Sequence, residues 1–262
     1  MKNNIIYNED CRETIKRIRK SGGVVDLILT SPPYNTCRGS NDKNALSTYQ
    51  GRYDVYSESL SNDNYDKFTS DLFNSFDSIL TENGVVIYNI SYGNENPTQM
   101  WTCIADVCKN TNFTIAEAIV WKKKSALPNN TSCNKLTRIC EFVFVLCRKD
   151  EYMTFNCNKQ VVSTRSSGQK MYENIFNLVV APNNDGACEI NKAAYSSELC
   201  EKLLSLYAPN NAIVYDPFMG TGTTAVACKR IGLRYIGSEI SPKQCEYANN
   251  RLKGVKTQLS MF

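Results

Sequence analysis

The chain contains no histidine. That absence excludes Ser-His-Asp and Cys-His hydrolases, histidine general bases and most catalytic zinc sites. The 12 cysteines (Cys11, Cys37, Cys103, Cys108, Cys133, Cys140, Cys147, Cys157, Cys188, Cys200, Cys228 and Cys245) never fall in a Cys-x-x-Cys pair. Neither a zinc ribbon nor a dithiol redox motif is expected, and no metal; scattered cysteines of this kind serve as small apolar side chains. No apolar run approaches the ~18 residues of a membrane span. The N-terminus, Met1 to Tyr7, meets Asp10 without the apolar core of a signal peptide, so the expected location is the cytoplasm, on the nucleoid if the host is bacterial. Internal repeats and low-complexity tracts are also missing.

What is present is a 262-residue chain with 42% hydrophobic and 21% charged residues, close to an average soluble domain. This length suits one domain over 1–262. The net charge of +4 is unevenly spread: residues 119–170 hold ten Lys/Arg against three acids, and the other 210 residues hold 20 bases and 23 acids. A basic block interleaved with Trp121, Tyr152 and Phe155 suits a polyanion. A solvated face flanking two strands would look the same.

Apolar, β-branched runs at Val24–Thr30, Val85–Ile90, Ile115–Trp121, Ile139–Cys147, Ala212–Asp216 and Arg234–Ser238 read as strands. Helical patterns occupy Cys11–Lys20, Tyr65–Leu80, Met100–Lys109, Ala193–Tyr207, Thr223–Ile231 and Pro242–Lys253. This alternation predicts an α/β fold, a mostly parallel sheet with helices on both faces. Two polar, turn-rich stretches fit it poorly. One is a mobile loop at about 35–64, and the other is the segment at about 149–188.

The motif Asp216-Pro217-Phe218-Met219-Gly220-Thr221-Gly222-Thr223-Thr224 follows a strand and opens a helix. Glycines there let the backbone turn tightly against a ligand, and the helix presents its N-terminal amides. Glu239 ends the next strand, 19 residues after Gly220, where an acid bonds ribose hydroxyls. The combination predicts an adenosine-type cofactor. A nicotinamide fingerprint would open its domain and carry a third glycine; here residue 225 is alanine and the motif lies in the last quarter of the chain.

The first 200 residues serve a second motif, Thr30-Ser31-Pro32-Pro33-Tyr34-Asn35, at the end of the strand Val24–Thr30. Ligands of open α/β sheets collect beyond the carboxyl ends of strands, so both loops should meet in one crevice. The two prolines lack amide donors and leave carbonyls as pure acceptors. The Ser31 hydroxyl and the Pro32 carbonyl can accept both hydrogens of an amino group on a planar base, with Tyr34 stacked on its ring.

Together, Ser31–Tyr34 and Asp216–Thr224 resemble the catalytic and cofactor motifs of the DNA amino-methyltransferases. Their order resembles the β group, a circularly permuted arrangement with the catalytic motif first. The resemblance implies a Rossmann-like S-adenosylmethionine (SAM) methyltransferase fold. It implies methyl transfer from SAM to the exocyclic amine of a base flipped out of double-stranded DNA. The cofactor-binding residues it implies are Asp10 and Cys11 for the adenine end, Lys192 in the segment Asn191–Ser196 at the methionine end, and Asp216, Pro217, Phe218, Gly220, Gly222, Thr223 and Glu239. The family commonly has His-Pro where Asn191-Lys192 stands. Trp121 and Glu141-Phe142-Val143 match its middle strands, in a structural role.

The implied catalytic set is Ser31, Pro32, Pro33 and Tyr34. Carbon methylation of cytosine needs a cysteine, typically after proline, and no Pro-Cys dipeptide occurs. Amine methylation needs neither cysteine nor histidine, only positioning and electrostatics. Serine at position 31 points to cytosine N4, with adenine N6 as the alternative and an RNA or protein amide methyltransferase, or a catalytically dead DNA-binding module, as rivals. The segment 149–188 is the expected target-recognition region. Lys122, Lys159, Arg165 and Lys170, with Arg38 and Arg52 in the 35–64 loop, are the candidate DNA contacts. Family analogy adds a homodimer and a companion restriction endonuclease as partners.

Overall fold

A computed structural model of the protein describes residues 2–35, 60–93, 96–125 and 133–257. Along the chain run β1 (Ile5–Tyr7), α1 (Cys11–Lys20), β2 (Val25–Thr30), α2 (Asn62–Asp77), β3 (Leu80–Ile90), α3 (Gln99–Asn110), β4 (Phe113–Lys123) and β5 (Cys140–Arg148). Then come β6 (Val161–Thr164), β7 (Lys170–Tyr172), β8 (Leu178–Ala181), α4 (Ser197–Tyr207), β9 (Ile213–Asp216), α5 (Thr223–Arg230), β10 (Arg234–Ser238) and α6 (Pro242–Lys253). Each expected strand and helix is present, with four short strands besides.

Local chemistry sets the helix ends. The Asp10 side chain accepts from the Arg12 amide, Ser61 from that of Asn64, Ser196 from that of Leu199 and Ser241 from that of Gln244. Two boundaries therefore differ from expectation. With Ser196 as cap, α4 starts at Ser197 instead of Ala193. With Ser61 as cap, α2 starts at Asn62, inside the loop expected to run to 64. At its other end α2 stops at Asp77, because Leu80 already pairs with Val25 as the first residue of β3.

Eight strands form one sheet in the order β1-β10-β9-β2-β3-β5-β4-β8, and β6 with β7 form a separate hairpin. All neighbours in the large sheet are parallel except around β5, which is antiparallel to β3 and β4. Successive residues of β2 face opposite sides. Leu27 and Leu29 join the core beneath α4, α5 and α6, while Ile28 joins the core with α1, α2 and α3. Among the described residues the result is three layers, with three helices on each face.

This order creates a switch point. The chain leaves β9 for β10 on one side and leaves β2 for β3 on the other, although β9 and β2 are hydrogen-bonded neighbours. A crevice opens outside their carboxyl ends. Reversal of β5 matters equally. Its first residues, Cys140 to Phe142, pair with Lys122, Trp121, Val120 and Ile90, so the start of β5 lies at the edge where the other strands end. Among the described residues, no helix is long and apolar enough to cross a membrane.

Candidate active site

The two sequence motifs meet as expected. Thr30 ends β2 and Asp216 ends β9, and the Thr30 hydroxyl donates to Asp216 Oδ1 at 2.8 Å, with both residues fully buried. The Phe218 amide donates to the same oxygen at 3.0 Å and the Thr224 hydroxyl to Oδ2. Burial pushes the Asp216 carboxyl up to about 6, against the donors that favour its charge. Asp216 thus lies beneath the cleft and holds its walls together; it does not line it.

The cleft encloses about 320 Å³. From the glycine loop come Pro217, Phe218, Met219, Gly220 and Thr221, with Thr223 at the first turn of α5. Gly220 and Gly222 sit at φ +53° and +83°, in the left-handed region that disfavours a side chain, and Gly222 takes the N-cap position of α5 with no side-chain cap. Gly222 itself does not line the cleft. A Cβ there would lie 2.8 Å from the Ala248 Cβ, so α6 packs directly against the turn.

Glu239 lines the cleft at 8% exposure. Its Oε2 accepts from the Gly220 amide at 2.7 Å and its Oε1 from the Ser241 amide at 2.8 Å. β1 runs beside β10, so the residues after each strand come together. The Glu239 amide bonds the Tyr7 carbonyl, and Asn8 Nδ2 donates to the Glu239 carbonyl at 2.8 Å. Glu9, Asp10, Cys11 and Arg12 are thereby brought to the same wall. Hydrogen bonds from Arg12 hold the Asp10 carboxyl below its usual range. Burial pushes the Cys11 thiol up to about 12, which keeps it protonated and inert.

In the segment expected at the methionine end, Asn191, Ala193, Ala194 and Tyr195 line the cleft, whereas Lys192 is exposed and does not. Asn191 is the buried polar group instead. Its Nδ2 donates to Gln244 Oε1 at 2.7 Å and its Oδ1 accepts from the Ala193 amide, a turn that rotates Lys192 outward. Sequence reasoning also missed Phe68, Thr221, Ile240, Ser241 and Gln244 as lining residues. Thr221 sits in the glycine motif itself; Phe68 carries no signal beyond its helical spacing.

Ser31 and Pro33 line the same cleft, with Pro32 between them. Tyr34 departs from its expected role as a stacking face. Its ring packs partly buried against the core on the α2 side, and its hydroxyl lies 2.8 Å from Ser31 Oγ and donates to Glu141 Oε2 at 3.0 Å. Asn89, at the end of β3, donates to the Tyr34 hydroxyl, to Ser31 Oγ at 3.3 Å and to Glu141 Oε2 at 3.2 Å. Lys123, at the end of β4, pairs with Glu141 Oε1 at 2.6 Å.

Of the candidate DNA contacts, Arg38 and Arg52 lie outside the described residues. Lys122 is exposed at the cleft end of β4. Arg165 and Lys170 are exposed on the β6–β7 hairpin, where Arg165 Nη1 donates to Gln169 Oε1. Lys159 is placed differently. Its neighbour Asn158 donates to the Ser205 and Ala208 carbonyls at the end of α4, the edge where β9 begins, opposite the cleft. Of the expected recognition segment, residues 178–181 are β8, the last strand of the main sheet.

A sequence model of the N6/N4 methyltransferase family, described as DNA methylase, matches residues 25–250. Curated relatives include the Type II methyltransferase M.HinfI of Haemophilus influenzae, 27% identical across 97% of this chain and 69% of its own length. The orphan methyltransferase M.BamHII of Bacillus amyloliquefaciens is 24% identical, over 87% of this chain and 89% of its own. Among solved structures, the M1.HpyAVI–SAM complex superimposes with TM-score 0.61 at 23% identity, covering 94% of this chain and 98% of that one. The cytosine-N4-specific PvuII DNA methyltransferase gives TM-score 0.69 at 16% identity, over 96% of this chain and 86% of that one. At such identities these structures establish the shared fold.

Proposed function

Because this chain belongs to the N6/N4 DNA methylase family, we propose that it transfers a methyl group from SAM to the exocyclic amine of a DNA base, cytosine N4, flipped out of the duplex. The observation that carries this reading is the single cleft shared by Ser31, Pro33, the glycine loop and Glu239, with the Thr30–Asp216 bond setting the two loops side by side.

The cleft suits the cofactor. Glu239 faces it from the carboxyl end of β10, where ribose hydroxyls bind. Asp10 and Cys11 receive the adenine end. Thr221 lines the cleft, and its Oγ1 is buried without a partner among the described residues, a polar atom whose burial is costly unless a ligand bonds it. SAM supplies a methyl carbon made electrophilic by its sulfonium. The chain's own part is to hold the amine in line. Ser31 Oγ and the Pro32 carbonyl accept its two hydrogens and draw the nitrogen lone pair toward the methyl carbon.

Serine at the first motif position supports cytosine over adenine. Lys122, Arg165 and Lys170 are the described cations proposed to meet phosphates. The Type II designation of relatives supports a companion restriction endonuclease.

The test is incubation with SAM and unmethylated DNA of mixed sequence, then nucleoside mass spectrometry. N4-methylcytosine is the expected product. N6-methyladenine would keep the mechanism and reverse the base. No methylated nucleoside, with SAM bound, would overturn the DNA substrate in favour of RNA or a protein amide.

A further inference from the structure

Four polar side chains from four separate elements converge behind Ser31: Tyr34 on its loop, Asn89 at the end of β3, Glu141 at the start of β5 and Lys123 at the end of β4. Asn89 is fully buried, and the Glu141 side chain is 15% exposed. Burying this much polarity beside an apolar core is costly unless its hydrogen bonds are directional and matched.

We propose that Glu141, acting through the Tyr34 hydroxyl, fixes Ser31 as a hydrogen-bond acceptor toward the amine to be methylated. The argument is one of proton counting. Tyr34 has a single hydroxyl hydrogen, and it is donated to Glu141 Oε2 at 3.0 Å. Lys123 pairs with the other oxygen, Oε1, at 2.6 Å, so the carboxylate is engaged as an acceptor on both sides. Asn89 Nδ2 donates to the Tyr34 oxygen, and with its own hydrogen on Glu141, Tyr34 has none left for Ser31. In the 2.8 Å contact between Ser31 Oγ and the Tyr34 oxygen, Ser31 must then be the donor.

The consequence is chemical. With its only hydrogen directed inward and one lone pair accepting from Asn89, Ser31 presents its remaining lone pair to the cleft. A serine free to rotate would also offer its hydrogen to the amine nitrogen and tie up the lone pair that has to attack. Glu141 is therefore a positioning residue. This inference rests on the proposed amine methylation and specifies what orients its acceptor.

Two experiments test it. Neutron diffraction from deuterium-exchanged wild-type protein should place the Ser31 deuterium toward Tyr34 and the Tyr34 deuterium toward Glu141; a Ser31 deuterium directed into the cleft overturns the inference. This readout needs no substrate, so it stands even if no DNA methylation is found and the functional reading fails. Kinetically, Glu141→Gln, whose amide can donate back to Tyr34, should lower kcat about 10- to 100-fold. SAM affinity, DNA KM and melting temperature should stay near wild type. Tyr34→Phe should match that loss, and the double variant should be no slower than the worse single variant. Losses that multiply, or a kcat for Glu141→Gln within about twofold of wild type, overturn it. So does a loss that follows a fall in melting temperature, the mark of a purely structural role.

Discussion

The Thr30 hydroxyl donates to Asp216 Oδ1 across 2.8 Å of buried space, joining residues 186 positions apart at the ends of adjacent strands. Each residue leads directly into one of the two site loops, so this bond sets the distance between the Ser31–Tyr34 turn and the glycine turn. Thr30→Val keeps the shape and removes the donor. We expect about 1–2 kcal/mol of lost stability in urea unfolding, since the Phe218 amide still serves the same oxygen. SAM affinity should fall as the loops lose register. Unchanged unfolding and unchanged binding would show that packing alone sets that register.

The elevated Asp216 carboxyl has a pH signature. Its folded value of about 6 exceeds the ordinary 3.8, so between those pH values the folded state keeps a proton that the unfolded chain has lost. Stability attributable to this group is therefore present at low pH and lost as pH rises from about 4 to about 6, by at most about 3 kcal/mol. Asp216→Asn cannot ionise. Its stability relative to wild type should rise across that window and level off above it; a difference that stays flat from pH 4 to pH 7 would refute the assignment.

Gly222 combines a φ of +83° with a Cβ position 2.8 Å from the Ala248 Cβ. Gly222→Ala should cost about 2–4 kcal/mol, from strain in the left-handed region and overlap with α6. Adding Ala248→Gly removes the overlap but not the strain. The double variant should then lose less than the two single losses added together, measured by chemical denaturation; simple additivity would rule out the contact.

Glu239 bridges the Gly220 and Ser241 amides with its two oxygens. Glu239→Gln replaces one acceptor by an NH2 that must face a backbone N–H. Calorimetry should show SAM binding weakened about tenfold or more. An unaltered dissociation constant would remove Glu239 from the cofactor site.

Lys122 and Lys159 are both exposed lysines of the basic block, yet they sit at opposite edges of the sheet. Lys122→Ala should weaken DNA binding and flatten the log-affinity against log-salt slope by about one. Lys159→Ala should leave both near wild type. Equal effects at the two positions would place the DNA path elsewhere.

Much of this site was legible before any fold was known, for a local reason. Glycine and proline impose backbone geometry by themselves, so Ser31–Tyr34 and Gly220–Gly222 announce tight turns wherever they occur, and the flanking apolar runs place those turns at strand ends. The role of Lys192 was not legible. Which of two neighbouring polar residues turns inward depends on Gln244, the partner that Asn191 finds on α6. The short strand β8 was equally hidden, because four residues carry too little periodicity to announce a strand, and its place comes from pairing with β4.

Composition and motif spacing determined by themselves the layered α/β class and the two loops that meet at the strand ends, since these follow from side-chain periodicity and from the backbone limits of Gly and Pro. Only the tertiary structure decided what stands behind Ser31. Glu141 lies 107 residues from Tyr34 and reads in sequence as one polar residue opening an apolar strand. It reaches the Ser31–Tyr34 turn because β5 runs against its neighbours and begins where they end. That reversal arises from strand pairing across the sheet, a long-range choice made by burial of both faces and by no residue near position 141.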